Sequence, residues 1–138
     1  MKQTFHAVTV STRGPGLYEI TEALEKFLAG AGIHNGLVTC FVRHTSASLL
    51  IQENADPDVQ KDLQDFFARL VKNGMDFRHT AEGPDDMPSH IRSALTQTSI
   101  GIPVRDGKAI LGTWQGLYLF EHRDAPHRRE VVLHLIGE

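Results

Sequence analysis

Several things are scarce in this 138-residue chain, and each scarcity excludes something. Cys40 is the only cysteine, so no intrachain disulfide can form, which fits a reducing compartment. No run approaches the roughly 20 apolar residues that cross a bilayer, so no membrane partner is expected. The opening MKQTFHAVTV has neither a long apolar segment nor a processing site, so no secretory leader is expected. These points together read as a soluble, cytoplasmic chain. Basic blocks are missing and the net charge is −3, which argues against a nucleic-acid partner but leaves room for a small anion pocket. There is no P-loop, no dinucleotide fingerprint, no HExxH pair and no G-x-S-x-G elbow. A ready-made nucleotide, zincin or serine-hydrolase assignment is therefore closed.

What is present is ordinary in bulk: 41% hydrophobic and 22% charged residues, enough for one domain over residues 1–138. Residues 3–11 alternate and are β-branched, which predicts a strand. Ile20, Ala23, Leu24, Phe27 and Leu28 make a helical stripe over 18–29, ended by Gly30 and Gly32. Strands are predicted at 36–44 and 48–53. Asp56-Pro57 reads as an N-cap followed by proline at the first helical position, and Val59, Leu63, Phe66, Phe67, Leu70 and Val71 form the stripe behind it. Residues 75–87 follow neither period, and a polar loop of that length is often functional. Asp86 is placed to cap a short helix with Ile91, Ala94 and Leu95 on its buried side. Strands at 99–105, 108–121 and 130–136 finish the chain, with Asp106-Gly107 as a hairpin turn. The class is α+β: a mostly antiparallel sheet or sandwich with about three flanking helices.

Eight histidines are many for this length. Alternation places His44 after Val38, Cys40 and Val42, and His122 after Tyr118 and Phe120. Glu53 follows Leu49 and Ile51 in the same way. Polar groups where apolar faces run out suit the lip of a pocket, although each alone also reads as an ordinary paired side chain. Asp86 and His90 are four apart and share a helix face. His44, His79, His90 and His122 are candidate metal ligands, and Asp85 and Asp86 candidate Mg²⁺ carboxylates. Thr45 and Ser46 offer hydroxyls beside His44. Trp114 and Gln115, between Gly112 and Gly116, offer a ligand surface. Arg78, Arg92 and Arg123 are the candidate phosphate contacts.

Three blocks then act together: HTSASLLIQENADP (44–57), RHTAEGPDDMPSHI (78–91) and GTWQGLYLFEHR (112–123). In series they resemble the signature blocks of the YjbQ family, known as secondary thiamine-phosphate synthases. Gln52 and Ile136 depart from the usual pattern. The resemblance implies a homotrimer with a jelly-roll-like β core. It also implies an enzyme that joins a pyrimidine pyrophosphate to a thiazole phosphate with release of pyrophosphate. On it, His44, Glu53, His122 and Arg123 are expected to carry catalysis. Thr45, Ser46, Asn54, Asp86, Trp114, Gln115 and Glu121 are expected to bind substrate. His79, His90 and His122 are expected to hold a divalent metal, Mg²⁺ or Zn²⁺. Two other readings stand beside it: a histidine-ligated metal-dependent hydrolase or lyase, and a non-catalytic module for a phosphorylated metabolite.

Overall fold

The computed structural model describes residues 1–138. In chain order the elements are β1 (Lys2–Ser11), β2 (Gly16–Glu19), α1 (Thr21–Gly30), β3 (Gly36–Val42), β4 (Ala47–Glu53) and α2 (Pro57–Leu70). They continue with α3 (Asp86–Leu95), β5 (Ser99–Arg105), β6 (Lys108–Ala109), β7 (Gln115–Glu121) and β8 (Arg128–Gly137). One sheet runs β1-β8-β3-β5-β6 and the other β2-β7-β4, with every pairing antiparallel. The α+β class and the sandwich core with three helices are as expected.

The core forms where alternating residues of the two sheets meet. Val38, Cys40, Val42, Val131, Leu133 and Leu135 come from the larger sheet, and Ala47, Leu49, Leu117 and Leu119 from the smaller. Leu24 and Leu28 of α1 join them. The α1 stripe is right, but its helix starts at Thr21, because Gly16–Glu19 pairs with β7 as a four-residue strand. The single strand expected over 108–121 is interrupted. β6 ends at Ala109 after a tight turn at Asp106-Gly107, where both residues take positive φ (53° and 74°).

The outer face of the small sheet carries α2 and α3. Asp56 caps α2 as expected, its Oδ1 accepting from the Asp58 N–H at 2.9 Å. The stripe of α2 is only half covered. Phe67 packs edge-on against Phe120, while Phe66 and Leu70 stand about half exposed.

The largest correction concerns α3. Asp85, not Asp86, occupies the N-cap position, and Asp86 is the first helical residue. Ile91, Ala94 and Leu95 do not form the buried side: Leu95 is 56% exposed, whereas Ser89, Arg92 and Ser93 are buried. The cause is what the helix covers. Ser93 Oγ donates to the Ala47 carbonyl (3.1 Å), Thr96 Oγ1 to Ser48 Oγ (2.6 Å), and Arg92 to the carbonyls of Val71 and His122. Strand ends rich in buried acceptors need donors more than they need apolar cover.

Candidate functional site

Strand β7 distributes the block Glu121-His122-Arg123 in three directions. Glu121 alternates with Leu117 and Leu119 and so points between the sheets, where it is fully buried. There its carboxylate accepts from Thr12 Oγ1 (2.7 Å), Arg129 Nε (2.8 Å) and the backbone N–H of His122 (3.0 Å) and Arg123 (3.2 Å). Burial pushes its acidity down, and the Arg129 and Thr12 bonds more than offset this, holding the carboxyl below its usual range. Arg129 also donates to Ser46 Oγ (2.9 Å). Glu121 and Ser46 are thus both engaged by Arg129 in a buried structural network rather than standing as free substrate contacts.

His122 points to the outer face beside Phe120. Its Nε2 pairs with Ser48 Oγ at 2.9 Å, and its Nδ1 is buried without a partner. Burial, then the Arg92 charge, depress its pKa to about 3, so the ring is neutral at neutral pH. The expected place of His122 in a metal set is not what the structure shows.

Arg123 projects past the strand end and clamps two aspartates. Its Nε donates to Asp85 Oδ2 (2.9 Å), its Nη1 to Asp86 Oδ1 (2.8 Å) and its Nη2 to the Glu82 carbonyl (3.1 Å). The Asp85 bond, chiefly, raises its pKa further. The guanidinium is therefore a positioning group, not the free anion contact expected for it.

What Arg123 positions is a three-residue cluster. His79 from the long loop, with Asp86 and His90 from α3, place one ligand atom each within 4.8 Å of one another. His79 Nε2 lies 2.6 Å and His90 Nε2 3.0 Å from Asp86 Oδ2. Burial raises the Asp86 pKa, but the His79 hydrogen bond and the charges of His90 and Arg123 win, and it lies below the usual range. The tautomer of His90 follows from its other nitrogen. Nδ1 faces the Thr45 carbonyl at 2.8 Å, so Nδ1 carries the proton. In neutral His90, Nε2 then presents a lone pair to a carboxylate oxygen 3.0 Å away. Two acceptors face each other only if a cation, either a proton or a metal ion, lies between them. An imidazole fixed through Nδ1–H to a backbone carbonyl is also the usual outer-shell arrangement of a metal-ligating histidine.

The remaining candidates divide. Thr45 contributes its carbonyl to this cluster. His44 Nε2 accepts from the Glu130 N–H at 3.0 Å, an ordinary structural bond. Burial, then the Arg129 charge, lower its pKa. Glu53, Asn54, Trp114 and Gln115 lie at the opposite end of the small sheet, about 20 Å away along β4. There Glu53 accepts from the Asp56 N–H (3.2 Å), Gln115 Oε1 from the Gly112 N–H (2.7 Å), and Trp114 is 64% exposed. Glu53 is too far to serve His122 or the cluster as a base. Arg92, read from the sequence only as one of three arginines, is the cation that reaches the His122 face; its place on a helix whose polar side is buried had no sequence signal.

Fold and cluster define a class: a small antiparallel α+β domain with a histidine–carboxylate site at the end of a β-sandwich. Residues 6–138 match the family described as "UPF0047 protein YjbQ-like", and the chain belongs to it. A UPF0047 protein of Synechocystis is 52% identical over 99% of this chain and 94% of its own length. YjbQ of Escherichia coli O157:H7 is 40% identical over 95% and 96%. Among solved structures, a Sulfolobus solfataricus protein described as YbjQ-like and of unknown function superposes with TM-score 0.91 at 25% identity, covering 99% of both chains. A YjbQ/UPF0047 protein of Clostridium acetobutylicum gives 0.88 at 32% identity, over 95% and 99%.

Proposed function

We propose that the protein is a metal-dependent enzyme acting on a phosphorylated small molecule, with a divalent ion held by His79, Asp86 and His90. The observation that carries this is the convergence of His79, Asp86 and His90, one ligand atom each within 4.8 Å, with His90 Nδ1 on the Thr45 carbonyl so that its Nε2 faces the cluster. Two imidazoles and one carboxylate favour Zn²⁺ or a similar ion over Mg²⁺, which prefers oxygen donors. Three protein ligands leave a position for substrate, which is the catalytic rather than the structural pattern. A bound ion would supply Lewis acidity toward a phosphoryl oxygen. The chain's own part is orientation: Arg123 and Asp85 fix Asp86 Oδ1, and the Thr45 carbonyl fixes His90.

Thiamine phosphate formation is the particular reaction the family resemblance implies, and it is the first to assay. The metal-dependent hydrolase or lyase is the alternative chemistry for the same cluster. The homotrimer belongs to the same reading: Leu37, Phe41 and Ile136 stand exposed on the outer face of the large sheet, where a second copy would cover them. So does a cytoplasmic setting, which suits a free cysteine, Cys40, whose thiol burial pushes up to about 12. No helix is long and apolar enough to cross a membrane.

The test is metal content after purification without added metal, for wild type, His90→Ala and Asp86→Asn. Turnover of the pyrimidine and thiazole phosphates, and of simple phosphate esters, follows on the Zn²⁺-loaded protein. We expect about one ion per chain in wild type and little in either variant. A folded wild type that takes up no metal refutes the reading. Metal without turnover of any substrate would make the protein a non-catalytic binding module.

A further inference from the structure

A second feature lies on the other side of the β7 end from the metal cluster. A cleft of about 330 Å³ opens between α2, α3 and the outer face of the small sheet. That volume is at the lower end of small-molecule sites. Its walls are Phe67 and Phe120, and its floor is Arg92 and His122. Arg92 is 9% and His122 1% exposed. Each has one nitrogen with no partner, Nε of Arg92 and Nδ1 of His122. Buried polar groups are normally satisfied, and two orphans on one cleft floor are a marked exception. Lys72 and Asn73 stand at the rim.

The charges have a sign. Of the acids that act on this floor, Glu121 is neutralised by Arg129 and Asp85 by Arg123, and Asp124 is the remaining one. Lys72 and Arg92 outnumber it. The cleft therefore offers net positive charge below an aromatic wall. None of His79, Asp86 and His90 lines it.

We propose that this cleft binds a small organic anion, with its phosphate or carboxylate head at Arg92 and His122 and a planar body against Phe67 and Phe120. Both unpartnered nitrogens are closed to bulk water. The head reaches them by a small turn of the floor side chains, and satisfying both is what the turn gains. The apolar lining that Phe67 and Phe120 give the cleft separates this ligand class from bare phosphate. The site is independent of the metal reading.

The experiment is an NMR titration of isotope-labelled full-length protein with phenyl phosphate, benzoate, inorganic phosphate and benzyl alcohol. Each is run with and without EDTA, following the Arg92 Nε–H and His122 ring signals. We expect phenyl phosphate or benzoate to shift both signals and to bind at least about tenfold more tightly than inorganic phosphate or benzyl alcohol. Which of the two binds better identifies the head group. Lys72→Met, a surface change that leaves the fold intact, should weaken binding severalfold. Arg92→Lys, which removes the Nε donor, should weaken it about tenfold or more. EDTA should change nothing. Three outcomes overturn the proposal: no shift at either residue at about 10 mM probe, equal response to all four probes, or binding that vanishes with EDTA. The last would move the ligand to the metal cluster.

Discussion

Acidification should unfold this protein through His122 well before the carboxylates protonate. The ring is buried, lies beside Arg92, and has its pKa lowered from 6.5 to about 3. The folded state therefore holds His122 neutral while the unfolded chain takes up a proton below pH 6.5. Between those values the unfolded state binds more protons, so stability rises with pH and falls as pH drops. The contribution is fully present above 6.5 and is lost progressively toward 3. Each pH unit below 6.5 costs about 1.4 kcal/mol, so pH 5 costs about 2 kcal/mol relative to pH 7.5. For a chain of this size that is a fall of roughly 5–10 °C in Tm. His44, also lowered by burial, adds a loss of the same sign. Asp85, Asp86 and Glu121 have lowered pKa values and enter only at more acid pH. The assay is urea unfolding in EDTA at half-unit steps from pH 7.5 to 4.5. His122→Gln is the control, because it keeps a polar partner for Ser48 but cannot titrate. The difference between the two slopes isolates His122. A wild-type slope equal to that of the variant, or a His122 ring that titrates near 6.5 by NMR, would refute the burial argument.

Other consequences follow from single contacts. Glu121→Gln leaves the Arg129 charge buried with a weakened partner and should cost about 3–5 kcal/mol by denaturant unfolding. Arg123→Lys removes the fork that holds Asp85 and Asp86 and should lower Zn²⁺ affinity roughly 10–100-fold by calorimetric titration, with little change in fold. On α3 the two faces should answer oppositely. Ser93→Val leaves the Ala47 carbonyl without its donor and should cost about 1–3 kcal/mol, whereas Leu95→Lys on the exposed face should stay within about 0.5 kcal/mol. The reverse order would mean that α3 sits the other way round.

Much of the fold was legible because period and punctuation agreed. Asp56-Pro57, Asp106-Gly107 and the alternation in β3 each report local physics, and each held. The misses share a cause that no local pattern reports. A four-residue strand such as β2 has too few alternations to register. The α3 stripe of Ile91, Ala94 and Leu95 is real as a pattern, but a stripe says only that a helix has two faces. Which face turns inward depends on what it meets, and here it meets the Ala47, Val71 and His122 carbonyls and the Ser48 hydroxyl.

The site was legible in its parts and misjudged in its grouping, although the grouping was within reach of the sequence. In an antiparallel pair, residues just before one strand lie beside residues just after its partner. His44–Ser46 precede β4 and His122–Arg123 follow β7, so these belong together, as the Ala47–Glu121 pairing shows. By the same rule Glu53, which ends β4, meets Gln115, which begins β7. A base at Glu53 serving His122 would have to reach across the whole strand. Chain direction therefore separates the Glu53–Trp114 end from the His79–Asp86–His90 end. It places Arg123, just past β7, against the long loop and the first residues of α3. The His79–Asp86–His90 cluster then rests on polar contacts, the Arg123 clamp and the Thr45 carbonyl, not on apolar packing. A substitution at Arg123 should disturb the geometry of Asp86 before it disturbs the sandwich.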